Sequence, residues 1–229
     1  RAMLGGGYWN VFASDDPRRD GLHVYDLRAE VQPLRRLEGL GLAGEIVKER
    51  NGAENDSWGG YAEIHHDFGD DVPWKPYIAY RYAAFTGDDG KGDNSAFDPL
   101  FYGFNDWNQW YLGEILGEYV ATNRNLDVHV LHLRTNPIES ITAHLFYLYF
   151  RLDEFANEVS SRPPTDSRVA LIESRDLAHE VDFIVDWAPN DYLSISAVAA
   201  SLFPASGARV FFASGDTWSS FMLTASVKF

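Results

Sequence analysis

The chain has 229 residues, a formal net charge of −15 and no cysteine. That charge argues against a nucleic-acid partner and against an anionic membrane surface. The absence of thiols suits an oxidising compartment, and no run of about 18 apolar residues marks a transmembrane helix. Aromatic residues nevertheless reach 15% while the mean hydropathy is mildly negative. Strands that are apolar on one face and polar on the other, with aromatic girdles at both interfaces, reconcile the two facts.

Strand patterns recur along the chain with turn signals between them. Residues 2–13 carry Tyr8, Trp9, Val11 and Phe12 after a glycine triplet, and 15–21 form a loop. In 22–32, Tyr25, Leu27, Ala29 and Val31 oppose Asp26, Arg28, Glu30 and Gln32. Residues 39–49 set Leu40, Leu42 and Ile46 against Glu45 and Glu49, after a turn at 33–38. Beyond a polar loop, 58–68 set Ala62, Ile64 and Phe68 against Tyr61, Glu63, His65 and Asp67. A turn at 69–73 leads to 75–86, where Ile78, Tyr80, Tyr82 and Ala84 oppose Tyr77, Ala79 and Arg81. A period of two is the mark of a strand with two different surroundings.

Residues 87–123 break the pattern. They open with Gly87-Asp88-Asp89-Gly90-Lys91-Gly92-Asp93-Asn94 and continue into an aromatic run. A long segment of this kind in a compact domain usually serves function. Its opening lacks the twelfth-position glutamate of a calcium loop, since Pro99 stands there, and reads as a solvated acidic loop. Residues 108–121 fit either a helix or a strand. Alternation resumes at 125–135, then 140–152 hold the densest apolar run, Leu145 to Phe150. Strands follow at 176–187, 192–203 and 218–229, with long loops at 153–174 and 204–217. In the last strand Phe221, Leu223, Ala225, Val227 and Phe229 share one face.

This pattern predicts an all-β fold, a transmembrane antiparallel up-and-down β-barrel of the outer-membrane type spanning residues 1–229, with about ten strands visible. Short connections alternate with long ones, as periplasmic turns alternate with outer loops. The chain opens inside a strand, so it is expected to be the C-terminal part of a larger barrel. The aromatic ending resembles the closing strand of bacterial outer-membrane barrels, which the barrel assembly machinery reads.

The run Phe97-Asp98-Pro99-Leu100-Phe101-Tyr102-Gly103-Phe104, with Trp107 and Gly113-Glu114-Ile115 followed by Gly117-Glu118-Tyr119, resembles a signature of the alginate-export family of outer-membrane porins. The closing segment Asp216 to Phe229 is similar to that family's last strand. The resemblance implies a bacterial outer-membrane channel, not an enzyme, embedded in outer-membrane lipid. It would pass a polar solute or an anionic polysaccharide such as alginate, with no cofactor and no metal.

On the inward face, Asp26, Arg28, Glu30, Glu45, Glu63, Arg81, Arg134, Arg151 and Asp182 are the candidate pore-lining residues. Arginine offers a planar fork to carboxylates, which an anionic polymer carries. Acids outnumber bases in the whole inward set, which also takes in Asp67, Glu180, Asp186 and Lys228. That excess runs against a polyanion path. Asp98, Phe101, Trp107 and Trp110 in the insertion are the candidate gate. Two other readings carry less weight. His65-His66-Asp67 offers a base and a carboxylate for a barrel hydrolase, but no Gly-x-Ser-x-Gly occurs. An acidic lumen would also suit a sleeve around a basic partner protein. A soluble acidic β-protein is the remaining alternative.

Overall fold

The structure, a computed structural model, describes residues 2–32, 38–100, 111–121, 123–155, 174–211 and 215–229. Ten strands follow one another in a single sheet: β1 (Ala2–Asn10), β2 (His23–Val31), β3 (Leu40–Arg50), β4 (Asp56–Asp67), β5 (Tyr77–Phe85), β6 (Leu126–Ile138), β7 (Ile141–Leu152), β8 (Asp176–Asn190), β9 (Leu193–Pro204) and β10 (Trp218–Val227). Each strand pairs antiparallel with its neighbours in the chain. The sheet is therefore up-and-down throughout, with β1 and β10 at its two edges. It is a partial outer-membrane barrel. Among the described residues no helix is long and apolar enough to cross a membrane.

The long connections 86–125, 153–175 and 205–217 leave one end of the sheet, and the two tightest turns, 139–140 and 191–192, close the other. The alternation of lengths is not strict. The connection 51–55 at the long-loop end is shorter than 68–76 at the opposite end. Residues Gly113–Ala121 form a π-helix rather than a strand, while 108–110 lie outside the described residues. A short helix, α1 (Ser206–Phe211), lies against β8 and β9.

The two faces of the sheet differ in what they meet. Leu131, Leu133, Leu145, Tyr147, Phe183, Phe203, Phe221 and Leu223 all stand exposed, Phe221 at 73% and Phe183 at 48%. So large a continuous apolar surface on regular strands needs lipid against it. The inner face of β6 to β9 is also apolar, with Val128, Val130, Phe146, Leu148, Phe150, Ile184, Val198 and Leu202 buried in one cluster. Leu112, Ile115 and Leu116 of the insertion fill that cluster from the lumen side. This explains the dense run at 145–150: β7 is apolar on both faces because lipid covers one and the insertion covers the other. On β2 to β5 the inner face is mixed, with charged and aromatic residues around Arg28, Glu63 and Arg81 and buried Ala83 and Phe85 toward the loop end.

Registry sets the depth of the lipid band. Tyr82, His129, Tyr149, His179 and Phe203 stand opposite one another in one outward rung across β5 to β9. The next outward rung toward the loops is charged, with Asp127, Arg151 and Asp176 in line. At the other end Ile141, Trp187 and Ile195 form a matching rung. His179 and Trp187 are separated by about 27 Å of strand at ~3.4 Å per residue. With a tilt near 40° that is roughly 21 Å along the normal, close to the band of an outer-membrane barrel.

Phe183 lies midway, in the rung of Leu133, Leu145, Ala199 and Phe221. Phe183→Arg is expected to cost about 2–4 kcal/mol, and Phe203→Arg in the aromatic rung about 0–1 kcal/mol. Equilibrium unfolding from lipid vesicles in guanidinium measures both. Equal costs would remove the depth assignment.

Candidate functional site: the lumen wall and the insertion

The polar wall is built from cross-strand pairs. Glu63 on β4 and Arg81 on β5 stand directly opposite. Arg81 holds Glu63 at 2.7 and 2.9 Å and lies over the Tyr61 ring at 4.4 Å. Tyr77 and Arg134 are the next such pair. Arg134 covers the Tyr77 ring at 4.5 Å and reaches Asp67 at 3.1 Å, while Tyr77 donates to Glu63 at 3.3 Å. The guanidinium planes are thus each held by a carboxylate at the edge and an aromatic ring on the face. His132 and His144 meet at 2.9 Å on the same wall, and His132 stacks on Phe146 at 4.0 Å.

Arg28 faces Glu45 on one side and Gly5 on the other. A side chain at Gly5 would sit 2.9 Å from the Arg28 Nε, so the glycine lets Arg28 lie across β1. Gly41 leaves room for the His65 ring in the same way. Arg28, Glu30, Tyr61, Glu63, Arg81 and Arg134 line a cavity of about 280 Å³, whose lining also includes Tyr111 and Phe146.

The insertion is fastened at two places. Its π-helix begins on β8, where two carboxyl groups two residues apart share the inner face. The Ile115 and Leu116 amides donate to Glu180 at 2.6 and 2.9 Å. The Glu114 amide and the Tyr111 hydroxyl donate to Asp182 at 3.2 and 2.5 Å. Helix N-termini carry unsatisfied amides, and buried carboxyl groups satisfy them here. Burial and the neighbouring Asp182 push the Tyr111 phenol well above its ordinary range, so it remains a donor.

The second fastening lies near the loop end. Asp98 is fully buried and takes a bidentate pair from Arg19 at 2.6 and 2.7 Å, together with Arg124. Its amide donates to Glu49 at 2.9 Å, which also accepts from Ser57 at 2.7 Å and Asn55 at 3.1 Å. The first outer loop, the β3–β4 end and both ends of the insertion meet on these two acids. Burial alone would raise the Asp98 carboxyl. The Arg19 hydrogen bonds and the charges of Arg124, Arg19 and Arg18 outweigh it and hold Asp98 below its ordinary value of 3.8.

Of the sequence-derived candidates, Arg28, Glu30, Glu63, Arg81 and Arg134 come together around the cavity. Asp26 and Glu45 sit near one another on the same wall, Glu45 opposite Arg28 and Asp26 two residues before it. Asp182 faces inward but lies under the insertion. Arg151 is a correction. It alternates with the buried Phe150 and Leu152 and so points outward, where it lies 3.6 Å from Asp176. Both faces of β7 are apolar, so the parity of Arg151 was hidden in the sequence. Asp98 forms an anchor, while Phe101, Trp107 and Trp110 lie outside the described residues. The sequence reading did not single out Tyr61, Tyr77, Tyr111, His132, His144, Arg19 or Arg124. The inward parity of Tyr61 and Tyr77 was readable. The long-range partners of Arg19 and Arg124 were not.

His65 bonds Glu63 at 3.1 Å, His66 packs outward on Phe68 at 4.5 Å, and Asp67 serves Arg134. The three neighbours therefore have three different partners rather than forming a catalytic relay.

The sequence matches the family described as alginate export over residues 15–214. The chain belongs to the alginate-export family. This is a family of transport proteins rather than enzymes, and with the barrel sheet the match supports an outer-membrane polysaccharide-export channel. No curated protein matches the chain.

Glu180→Ala leaves the Ile115 and Leu116 amides without acceptors, at about 1–3 kcal/mol per buried group. Hydrogen exchange at 113–121 is expected to accelerate about tenfold or more, while β6 to β9 amides stay protected. For Asp98, a depressed folded pKa means that the stabilisation is present above 3.8 and is lost as pH falls through the lower folded value. Protection of 111–121 from protease is expected to persist from pH 7 down to about pH 4 and to disappear below it. In Asp98→Asn this pH step is expected to vanish, with weaker protection at neutral pH.

Proposed function

We propose that the chain forms part of the wall of an outer-membrane channel through which an anionic polysaccharide passes, with the insertion between β5 and β6 as its constriction. The observation that carries this reading is the cavity between the insertion and the arginine-bearing wall. Arg28, Arg81 and Arg134 border it together with Tyr61 and Tyr77. Aromatic faces suit the apolar sides of sugar rings, and guanidinium edges suit their carboxylates.

Much of the acid excess in the sequence is engaged within the protein. Glu180 and Asp182 are turned toward insertion amides, Glu49 toward Ser57 and Asn55. Glu63 and Asp67 are matched by arginines. The cavity lining itself carries Arg28, Arg81 and Arg134 against Glu30 and Glu63, with Glu45 opposite Arg28. A passing sugar carboxylate exchanges with a wall carboxylate at the same guanidinium, so binding is weak and release is easy, as conduction requires.

Single-channel conductance of the full-length protein in planar bilayers tests this. An anion-preferring reversal potential and block by oligomeric alginate are expected. Arg28→Ala combined with Arg81→Ala and Arg134→Ala is expected to raise the blocking concentration about tenfold or more, on the order of 1.4 kcal/mol. Cation preference without block would leave a channel but remove the polyanion. No conductance at all would remove the channel.

A further inference from the structure

The outward face repeats a small hydrogen-bonded unit that transport does not require. On β5, Tyr80 and Tyr82 face lipid, and on β6 so do Asp127 and His129. The Tyr80 hydroxyl lies 2.7 Å from His129 Nδ1, and Tyr82 donates to Asp127 at 2.8 Å. Two strands on, Tyr147 lies 2.8 Å from His179 Nδ1, and Tyr149 donates to Asp176 at 2.6 Å. The two units differ in spacing, since Asp127 and His129 are two residues apart but Asp176 and His179 are three. A register shift between Phe150 and Arg151 absorbs the extra residue. Asp176 therefore stands opposite Arg151 just as Asp127 does from the other side. A partial third copy joins β1 to β2, with Tyr8 at 2.8 Å and the Asn10 amide at 3.1 Å from His23 Nδ1. The rings of His129, Tyr149 and His179 stack in series, at 5.9 and 4.8 Å.

The chemistry of the unit follows from its donors. A phenol O–H is a good donor, and with it aimed at Nδ1 the proton of the neutral ring is assigned to Nε2. Among the described residues no hydrogen bond reaches Nε2 of His23, His129 or His179. The tyrosine hydroxyls are used within the protein, so what the belt offers outward is a set of imidazole N–H groups. Asp127 and Asp176 are occupied by tyrosine hydroxyls, and Asp176 also by Arg151. Arg151 lies between the two acids with its side chain 42% exposed. The belt sits where the apolar band ends and the charged rung begins, which is the depth of lipid headgroups.

We propose that this belt binds the phosphate-bearing headgroups of the surrounding lipid leaflet, with the Nε2–H groups of His129 and His179 and the guanidinium of Arg151 as donors to phosphate oxygens. Two N–H donors in one rung and a cation in the next rung toward the loops match a tetrahedral anion better than a neutral ester. The stacked rings hold the donors at that depth.

The test uses the full-length protein in bilayer nanodiscs made of phosphatidylglycerol mixed equally with a phosphate-free galactolipid. Native mass spectrometry counts each lipid retained by the wild type and by a His129→Phe, His179→Phe, Arg151→Gln variant. Phenylalanine preserves the aromatic rung, and resistance to SDS at room temperature reports folding. The wild type is expected to retain the phosphate lipid over the galactolipid by about fivefold, and the variant by no more than parity. A wild type without preference, or a variant that keeps it, overturns the proposal. If the variant does not fold, the wild type labelled with 15N-histidine answers the question alone. Magnetisation transfer between imidazole nitrogens and lipid 31P supports the proposal, and its absence sinks it.

Discussion

Every strand of this sheet has to satisfy two surroundings at once, and the rest of the structure follows from that. Lipid supplies no hydrogen-bond partner, so backbone groups pair strand to strand and the outward side chains must be apolar. The outward rung of Leu133, Leu145, Phe183, Ala199 and Phe221 shows the consequence directly. The inward side chains answer to whatever fills the lumen. From β2 to β5 they meet a polar cavity and carry arginines, acids and tyrosines. From β6 to β9 they meet the insertion and are mostly Val, Leu, Phe and Ala.

The insertion in turn depends on being fixed to a wall that offers few polar partners. A helix start brought inside a barrel carries amides that water no longer serves. Glu180 and Asp182 lie at the one place on β8 where two successive inward positions hold carboxyl groups, and the helix start lands there. Losing either would leave buried donors, while an apolar pair would fit the surrounding cluster but offer the amides nothing. The other fastening differs in kind. Asp98 with Arg19 and Arg124 is a charge network, and it joins loops rather than a loop and a wall. The charge network is therefore sensitive to acid.

The order and antiparallel pairing of the strands were legible because period-two patterning survives wherever lipid covers one face and polar groups the other. All ten strands lie where that pattern or an apolar run predicts them, with ends shifted by a few residues. β7 is the exception that explains itself: with both faces apolar, Leu145 to Phe150 reveal a strand but not its parity, and Arg151 could not be assigned. The helical character of the insertion was equally open, since Gly113 to Ala121 has neither an alternating face nor a cap signal, and its start is met by Glu180 and Asp182 from a distant strand. The ratio of acids to bases is the least informative feature of the sequence. Charge that is spent on amides or on a neighbouring arginine counts in a sequence but not in a lumen.

The same distinction between formal and available charge governs the lipid-facing side. Asp127 and Asp176 would be costly beside an apolar band if left bare. Each instead accepts a tyrosine hydroxyl from the neighbouring strand, at 2.8 and 2.6 Å. The tyrosines that do this alternate with tyrosines that engage His129 and His179. Tyr-Arg-Tyr at 80–82 and Tyr-Leu-Tyr at 147–149 thus perform one task, although Arg81 turns into the lumen and Leu148 into the core. A strand can carry an interfacial unit on its odd or even positions and leave the others free for the channel. That independence lets one stretch of sequence serve the membrane and the lumen without compromise between them.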